Sequence, residues 1–160
     1  MNKIEKATFA AGCFWGIESA FCQLDGVIST QVGYSGGFTE NPTYEEVCKD
    51  KTGHAESVLV EFNPDIVSYD TLLELFWKIH DPTTVNRQGP DIGSQYRSII
   101  FYHNDKQKNK AIDSKEKLER SGKFSKKIAT EIIPESKFYR AEEYHQKYFQ
   151  KQGIAKCKSK

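Results

Sequence analysis

A cysteine at the start of a predicted helix is the residue of this chain best suited to chemistry. The segment Gly12-Cys13-Phe14-Trp15-Gly16 lies between a short apolar stretch and a run of apolar residues at helical spacing. The N-terminus of a helix presents unpaired N–H groups and a partial positive charge, which lower the pKa of a cysteine thiol from about 8.5. We therefore expect Cys13 to be a thiolate nucleophile, the alternative being a small packing residue. Phe14 and Trp15 add apolar rings, which indicates a substrate with a small apolar group.

A glutamate at a loop-to-strand transition is the second candidate. Glu56 ends the segment Gly53-His54-Ala55-Glu56. Removal from water raises the pKa of a carboxyl group, so a buried Glu56 could act as a general acid near neutral pH. The alternative is a solvent-facing strand residue. His54-x-Glu56 also matches half of a zinc deaminase signature, but the required P-C-x-x-C is missing, so we expect no metal.

Three polar side chains in or beside the two long predicted loops could complete a site. Tyr44 and Tyr96 carry phenol groups, which donate a hydrogen bond without a charge and so suit an oxygen atom of a substrate. Asp91 lies in Gln-Gly-Pro-Asp-Ile-Gly, where it is either a turn residue or a group that orients a tyrosine or a water. Long loops in a compact domain are usually functional.

The remaining cysteines are isolated in the sequence. The four cysteines include no C-x-x-C pair, so neither a zinc knuckle nor a local dithiol is encoded. We interpret Cys22 and Cys48 as packing residues. Cys157 lies in a C-terminal tail that we expect to be mobile, and its thiol could reach a distant sulfur and form a disulfide with it.

The composition favours one cytoplasmic domain. The 160 residues, 38% of them hydrophobic, suffice for a single core, and we predict one domain over 1–160 with a flexible tail at about 152–160. The formal net charge of +1 gives no argument for nucleic acid as a partner. Neither a signal-peptide run nor a membrane span is visible in the sequence.

The order of the predicted elements indicates an α+β fold. The first six alternate as β-α-β-β-α-β, which is the split βαβ pattern of a ferredoxin-like two-layer sandwich. An extra C-terminal helix, strand and tail follow, including a predicted helix over 141–151. The predicted strands are 3–10, 27–34, 54–62, 96–103 and 128–133, and the predicted helices are 14–24, 68–80, 105–121 and 141–151.

Taken together, these segments resemble the A-type peptide-methionine sulfoxide reductases from about Ala7 to Tyr148. Each segment alone is weak, but their order and spacing are specific. The matching segments are Gly12-Cys13-Phe14-Trp15-Gly16, Gly33-Tyr34-Ser35-Gly36-Gly37, Asn41-Pro42-Thr43-Tyr44, Gly53-His54-Ala55-Glu56, Asp81-Pro82-Thr83-Thr84, residues 88–97 and residues 143–148.

The resemblance implies reduction of the S epimer of methionine sulfoxide, free or in proteins. It makes Cys13 the nucleophile that becomes a sulfenic acid and Glu56 the group that protonates the sulfoxide oxygen. The other site residues follow from the same resemblance: Phe14 and Trp15 line the pocket for the S-methyl group, Tyr44 and Tyr96 bind the oxygen, and Asp91 completes the polar network.

The resemblance also implies how the enzyme is recycled. Cys157 is the only cysteine of the tail, so it is expected to resolve the sulfenic acid of Cys13 as a disulfide. Cys22 and Cys48 stay open as internal alternatives. Thioredoxin is the implied reductant, and we expect a monomer without metal or other cofactor.

Two other classes of function stay open from the sequence. A cysteine hydrolase would use Cys13 with His54 or His145 and would not need Cys157. A non-catalytic thiol sensor would use oxidation of Cys13 to change a contact with a partner and would show no turnover.

Overall fold

A six-stranded sheet forms the centre of the molecule in the computed structural model, which describes residues 3–157. A small two-stranded hairpin over residues 87–92 forms a second sheet. The strands are β1 (Glu5–Ala11), β2 (Val27–Ser35), β3 (Ala55–Phe62), β4 (Arg87–Gln88), β5 (Asp91–Ile92), β6 (Ser98–Tyr102), β7 (Glu131–Pro134) and β8 (Tyr139–Arg140). The helices are α1 (Phe14–Cys22), α2 (Tyr44–Cys48), α3 (Tyr69–Lys78), α4 (Asp105–Arg120) and α5 (Tyr148–Lys151), with 3₁₀ turns at Ser94–Tyr96 and Glu143–His145.

The strand order confirms the predicted ferredoxin-like α+β fold. The sheet runs β7-β6-β1-β3-β2-β8, so β3 lies between β1 and β2 and is antiparallel to both. The strand β6 flanks β1 in antiparallel fashion, and β7 adds a parallel edge to β6. This arrangement brings the end of β1, the start of β3 and the loop before β6 to one region of the sheet.

The alternation of side chains along β1 explains the two layers. Ala7, Phe9 and Ala11 belong to the large core cluster that includes residues of α1 and α3. Ala10, between them, belongs to a smaller cluster that includes Phe101. Successive side chains of a strand point to opposite faces, so both faces of the central strand are covered by apolar side chains.

Local signals fixed the ends of the main helices. The helix α3 follows Ser68, whose hydroxyl accepts a hydrogen bond from the Thr71 N–H, as expected of a capping residue. The helix α4 begins after Asn104, which caps the N–H of Gln107 in the same way. None of the helices between residues 3 and 157 has the length and apolar character needed to cross a bilayer.

The predicted helix over 141–151 is wrong. Lys147 has a left-handed backbone with φ of 55°, so only Tyr148–Lys151 is α-helical. The side-chain amide of Gln146 accepts the Val32 N–H and donates to the Val32 carbonyl. These two bonds hold the chain around Gln146 in an irregular path beside β2. Side-chain bonding to another strand thus overrides the local helical pattern. Of the predicted tail, residues 158–160 lie outside the described residues.

Candidate active site

Cys13 lies at the junction of β1 and α1, as its spacing predicted. It is the residue before the first turn of α1, and its side chain is half-buried. Gly12 precedes it with φ of +104°, and a Cβ there would lie 2.9 Å from the side chain of Gln88. A glycine is needed at this turn for both reasons, and the turn lies against Gln88 of β4.

The thiol of Cys13 is not the low-pKa group that the helix start predicted. The backbone N–H groups of Trp15 and Gly16 do lower its pKa. Burial is the larger influence, however, and the negative charge of Glu56 acts in the same direction, so the pKa of Cys13 rises to about 11. Cys13 is therefore a protonated thiol at neutral pH in this structure.

Glu56 is a buried carboxyl group beside that thiol. It lies near the start of β3, opposite Tyr34 of β2, and its Oε1 accepts the Phe14 N–H at 3.1 Å. Burial raises the pKa of Glu56 to about 8, although the Phe14 N–H works against the shift, and the charge of Asp91 raises it further. Glu56 is therefore mostly a neutral acid at pH 7, which agrees with the expected direction.

Tyr96 and Asp91 reach the same place from the loop before β6. The charges of Glu56, Asp91 and Cys13 all contribute to raising the pKa of the Tyr96 phenol to about 12, after burial as the main cause. Asp91, in β5, in turn raises the pKa values of Cys13 and Glu56. Four of the predicted site residues therefore lie close enough to interact electrostatically: Cys13, Glu56, Asp91 and Tyr96.

Tyr44 lies at the rim of this cluster and is engaged on several sides. Its backbone N–H donates to Glu142 Oε2 at 2.9 Å, and its ring packs on His145 with centroids 4.4 Å apart. Burial raises the pKa of its phenol, and a hydrogen bond to Cys48 adds to the shift. Tyr44 is therefore held at the edge of the cluster by Glu142 and His145.

Aromatic rings form the wall beside Cys13. The ring of Trp15 stacks on Tyr148 at 3.9 Å between centroids, and its Nε1–H donates to His145 Nδ1 at 2.9 Å. Phe14 is fully buried and packs against Tyr34 and His145. Two or more partners hold each ring, so the wall is rigid and apolar.

The histidines do not pair with Cys13 as a hydrolase would require. His54 Nδ1 accepts the Gly37 N–H at 3.0 Å, and Nε2 lies 2.7 Å from the Thr39 carbonyl. The Nδ1 of His145 accepts the Trp15 Nε1–H, so Nε2 carries the proton of the neutral ring and is not a base; it has no hydrogen-bond partner among residues 3–157. A general base must hydrogen-bond to its nucleophile, so these bonds disfavour the hydrolase alternative.

A disulfide joins Cys22 to Cys157, with their Cα atoms 4.9 Å apart. The interpretation of Cys22 as a packing residue is therefore wrong, although its side chain is fully buried. Cys157 is bonded to Cys22 and not to Cys13, which is free together with Cys48. No local motif connects residues 135 positions apart, so the sequence alone could not specify this pairing.

A family model described as peptide methionine sulfoxide reductase matches residues 5–160. The chain belongs to this family. The peptide methionine sulfoxide reductase MsrA of Methanosarcina mazei is 66% identical over 151 residues, which cover 94% of this chain and 72% of the relative. The resemblance to the A-type reductases is therefore confirmed, and the chain is an enzyme that reduces peptide methionine sulfoxide.

Solved structures of this family share the fold. The reduced form of Mxr1 from Saccharomyces cerevisiae matches with a TM-score of 0.89 and 38% identity, over 97% of this chain and 89% of that one. Mxr1 has also been crystallised in complex with Trx2, and that chain matches with a TM-score of 0.65 and 32% identity, over 91% of this reductase and 85% of Mxr1.

The sequence interpretation missed several residues of the C-terminal segment that position the active site of the reductase. Glu142 accepts the Tyr34 hydroxyl at 2.8 Å and the Tyr44 N–H, and so links β2 to α2. His145 orders the aromatic wall, and Gln150 donates to Cys22 Sγ at 3.5 Å. The matching segment at 143–148 marked this region, but an assumed helix concealed which side chains turn inward.

Proposed function

We propose that this reductase acts on the S epimer of methionine sulfoxide, free or in proteins, with Cys13 as the nucleophile and Glu56 as the proton donor. The observation that carries the proposal is the buried, neutral Glu56 beside a half-buried Cys13. Sulfoxide oxygen is a poor leaving group until it is protonated, and a carboxyl group with a pKa near 8 still holds its proton at pH 7.

The first step converts a thiol and a sulfoxide into a sulfenic acid and a thioether. Glu56 gives its proton to the sulfoxide oxygen, and Cys13 Sγ bonds to the sulfoxide sulfur while its own proton returns to Glu56. The sulfur–oxygen bond then breaks, the oxygen bonds to Cys13 Sγ to give the sulfenic acid, and the bond between Sγ and the methionine sulfur breaks. Methionine leaves with the electron pair, so its sulfur is reduced by two electrons and Cys13 is oxidised by two.

The rest of the pocket positions the sulfoxide. Phe14 and Trp15 are proposed to hold the S-methyl group against their rings. Tyr44 and Tyr96 are proposed to bind the oxygen as neutral donors, because their raised pKa values keep both phenols protonated. Asp91 completes the polar network through its interactions with Tyr96 and Glu56.

Recycling is proposed to run from Cys13 through Cys157 to Cys22. The Cys157 thiol condenses with the sulfenic acid, which releases water and forms a Cys13–Cys157 disulfide. The Cys22 thiolate then attacks Cys157, which frees Cys13 and leaves the disulfide present in the structure. Thioredoxin is proposed as the external dithiol, supported by the Mxr1–Trx2 complex.

The tail is long enough for Cys157 to serve both cysteines. Cys13 and Cys22 lie at opposite ends of α1, about 13 Å apart along a helix that rises about 1.5 Å per residue. Cys157 lies six positions beyond the end of α5 at Lys151, and an extended chain of that length spans up to about 20 Å. Gly153 lies in this connection with φ of +72° and open space around it, so it suits a hinge.

One assay tests the proposed activity against the two alternatives. The purified protein is incubated with the S or the R epimer of a methyl sulfoxide amino acid and excess dithiothreitol, and methionine is measured. Repeated turnover of the S epimer alone is expected. Release of an amide or ester product would favour a hydrolase, and oxidation of Cys13 without methionine turnover would favour a sensor.

A further inference from the structure

The C-terminal segment, residues 147–157, packs along one face of α1. Trp15, Glu18 and Cys22 are spaced three and four residues apart, so their side chains share one face of the helix. Lys147 binds Glu18 through its backbone N–H at 2.8 Å and through Nζ at 2.9 Å. Gln150 follows and donates from Nε2 to Cys22 Sγ at 3.5 Å. Gln150 is therefore held at Cys22 by contacts that do not depend on the disulfide.

The two sulfur atoms of the disulfide differ in access. Cys22 is fully buried at the end of α1, whereas Cys157 is half-buried in the segment after α5. A thiolate attacks a disulfide along the S–S axis at a sulfur it can reach, and the other sulfur departs with the electron pair. This difference selects Cys157 for attack and Cys22 for departure.

A thiolate that departs into a buried position needs a hydrogen-bond donor. Burial disfavours the charged form of a thiol, which makes it a poor leaving group. The Gln150 N–H points at Cys22 Sγ, and hydrogen bonds to charged acceptors are stronger than neutral ones. The Ser19 carbonyl lies 3.4 Å from the same sulfur and is an acceptor for the thiol once a proton has been taken up.

In its position beside Cys22, the side chain of Gln150 leaves one of its own polar atoms without a hydrogen bond. Its Oε1 is buried and has no hydrogen-bond partner among residues 3–157. Buried polar atoms without partners are uncommon in native proteins and call for an explanation. An amide whose N–H serves a sulfur atom that becomes charged only during exchange provides one.

We propose that an external dithiol opens the Cys22–Cys157 disulfide by attack on Cys157, and that Gln150 is a positioning residue that stabilises the departing Cys22 thiolate. The attacking sulfur bonds to Cys157 while the Cys157–Cys22 bond breaks. The second external thiol then attacks its partner sulfur, which forms the external disulfide and releases Cys157. The dithiol loses two electrons and two protons, and Cys22 and Cys157 gain them.

Reduction of the disulfide can be followed without any sulfoxide. Because the proposed function makes Cys22–Cys157 the oxidised product of each cycle, this step rests on that function, but its assay is independent. Oxidised protein is mixed with dithiothreitol, and thiol release is timed after alkylation. Gln150→Leu is expected to slow reduction roughly three- to tenfold, and the neighbouring Gln152→Leu to leave the rate unchanged. Equal rates in the Gln150→Leu variant and the wild type would overturn the role of Gln150.

A titration separates stabilisation of the thiolate from simple packing. In a protein with Cys13, Cys48 and Cys157 replaced by serine, the thiolate of Cys22 is followed by its ultraviolet absorbance. Loss of the N–H donor in Gln150→Leu is expected to raise the pKa of Cys22. A merely structural role would expose Cys22 to water and lower that pKa, which would contradict the proposal.

The site of attack is read from a trapped mixed disulfide. A thioredoxin whose second active-site cysteine is replaced by serine is added to the oxidised protein, the mixture is quenched with an alkylating agent, and peptides are mapped. Linkage to Cys157 is expected. Linkage to Cys22 would overturn the assigned direction of exchange.

Discussion

The Phe14 backbone N–H donates to Glu56 Oε1 at 3.1 Å, and this bond ties the start of α1 to the carboxyl group of β3. The residue that follows the proposed nucleophile thus orients the proposed acid. One oxygen of Glu56 accepts this N–H, which leaves the other to carry the proton. The bond also favours the charged form of Glu56 and so lowers its pKa. The pKa is nevertheless about 8, because the effect of burial is larger than that of the hydrogen bond.

Glu56→Gln is expected to lower the single-turnover rate of S-sulfoxide reduction roughly a hundred- to ten-thousand-fold. Glutamine keeps the size of the side chain and can still accept the Phe14 N–H, but it has no proton to transfer. Rapid-quench measurement of methionine at pH 7 checks this. A rate within threefold of the wild type would move the proton-donor role to Tyr44 or Tyr96.

The pH dependence of the same step follows from Glu56. Its pKa is raised to about 8, so the protonated acid is present below that pH and is lost above it. The single-turnover rate is expected to be level from pH 6 to 7.5 and to decline above pH 8, and Glu56→Gln should lack this decline. A rate that rises tenfold per pH unit through pH 8 would instead make ionisation of Cys13 the limiting event.

The number of methionines formed without a reductant tests the recycling order. The fully reduced wild type should make about two per enzyme, because transfer of the disulfide to Cys22–Cys157 frees Cys13 for a second reaction. Cys22→Ser and Cys157→Ser should each make about one. Cys48→Ser is the matched control and should make two. A wild-type yield of one would contradict the transfer.

The two phenols are expected to differ in their contribution to substrate binding. Tyr96→Phe should raise the KM for the sulfoxide roughly tenfold, the effect of one lost hydrogen bond of about 1.4 kcal/mol. Tyr44→Phe should raise it less, because Tyr96 interacts with Glu56, Asp91 and Cys13, whereas Tyr44 lies at the rim and interacts with Glu56 alone among these three. Steady-state kinetics of both variants provide the comparison, and a larger effect of Tyr44→Phe would reverse the assignment.

His80 is expected to make stability depend on pH. Its imidazole is half-buried and bonded to the Phe76 carbonyl and the Ser98 hydroxyl at 2.7 Å each, and desolvation lowers its pKa to about 4. The unfolded state takes up a proton near pH 6.5, so this contribution is complete above that pH and is lost as the pH falls towards 4. The loss should reach about 3 kcal/mol relative to His80→Gln.

Urea denaturation at pH 7, 5 and 4 measures that difference. The Ser98 hydroxyl gives glutamine a partner at position 80, so the variant should fold at pH 7. Parallel losses of unfolding free energy in the wild type and in His80→Gln would show that His80 titrates normally in the folded protein.

The sequence predicted those features that depend on local pattern. The helices α1, α3 and α4 and the main strands were predicted to within a few residues, because apolar spacing and capping residues such as Ser68 act locally. The segment after Ala141 failed, because Gln146 bonds to β2 and overrides its helical pattern. The pairing of Cys22 with Cys157 likewise depends on the tertiary path of the tail.

The electrostatics of the site were predicted in part. The carboxyl group of Glu56 was expected to be neutral because of burial, and burial does raise its pKa in the structure. The lowered pKa of Cys13 was predicted from the helix start alone, whereas in the structure its burial and the charge of Glu56 raise the pKa. The burial of Cys13 depends on neighbours that are distant in sequence, so the local pattern could not predict it.

Formation of methionine by Cys13→Ser tests the proposed chemistry most directly. Serine keeps the shape of the side chain but offers no thiol to take up the oxygen as sulfenic acid. With the pure S epimer and excess dithiothreitol, the variant is expected to form methionine no faster than the uncatalysed mixture. Its circular dichroism and its Cys22–Cys157 disulfide should match those of the wild type. Activity at a tenth of the wild-type rate or more would contradict the assignment of Cys13 as the nucleophile.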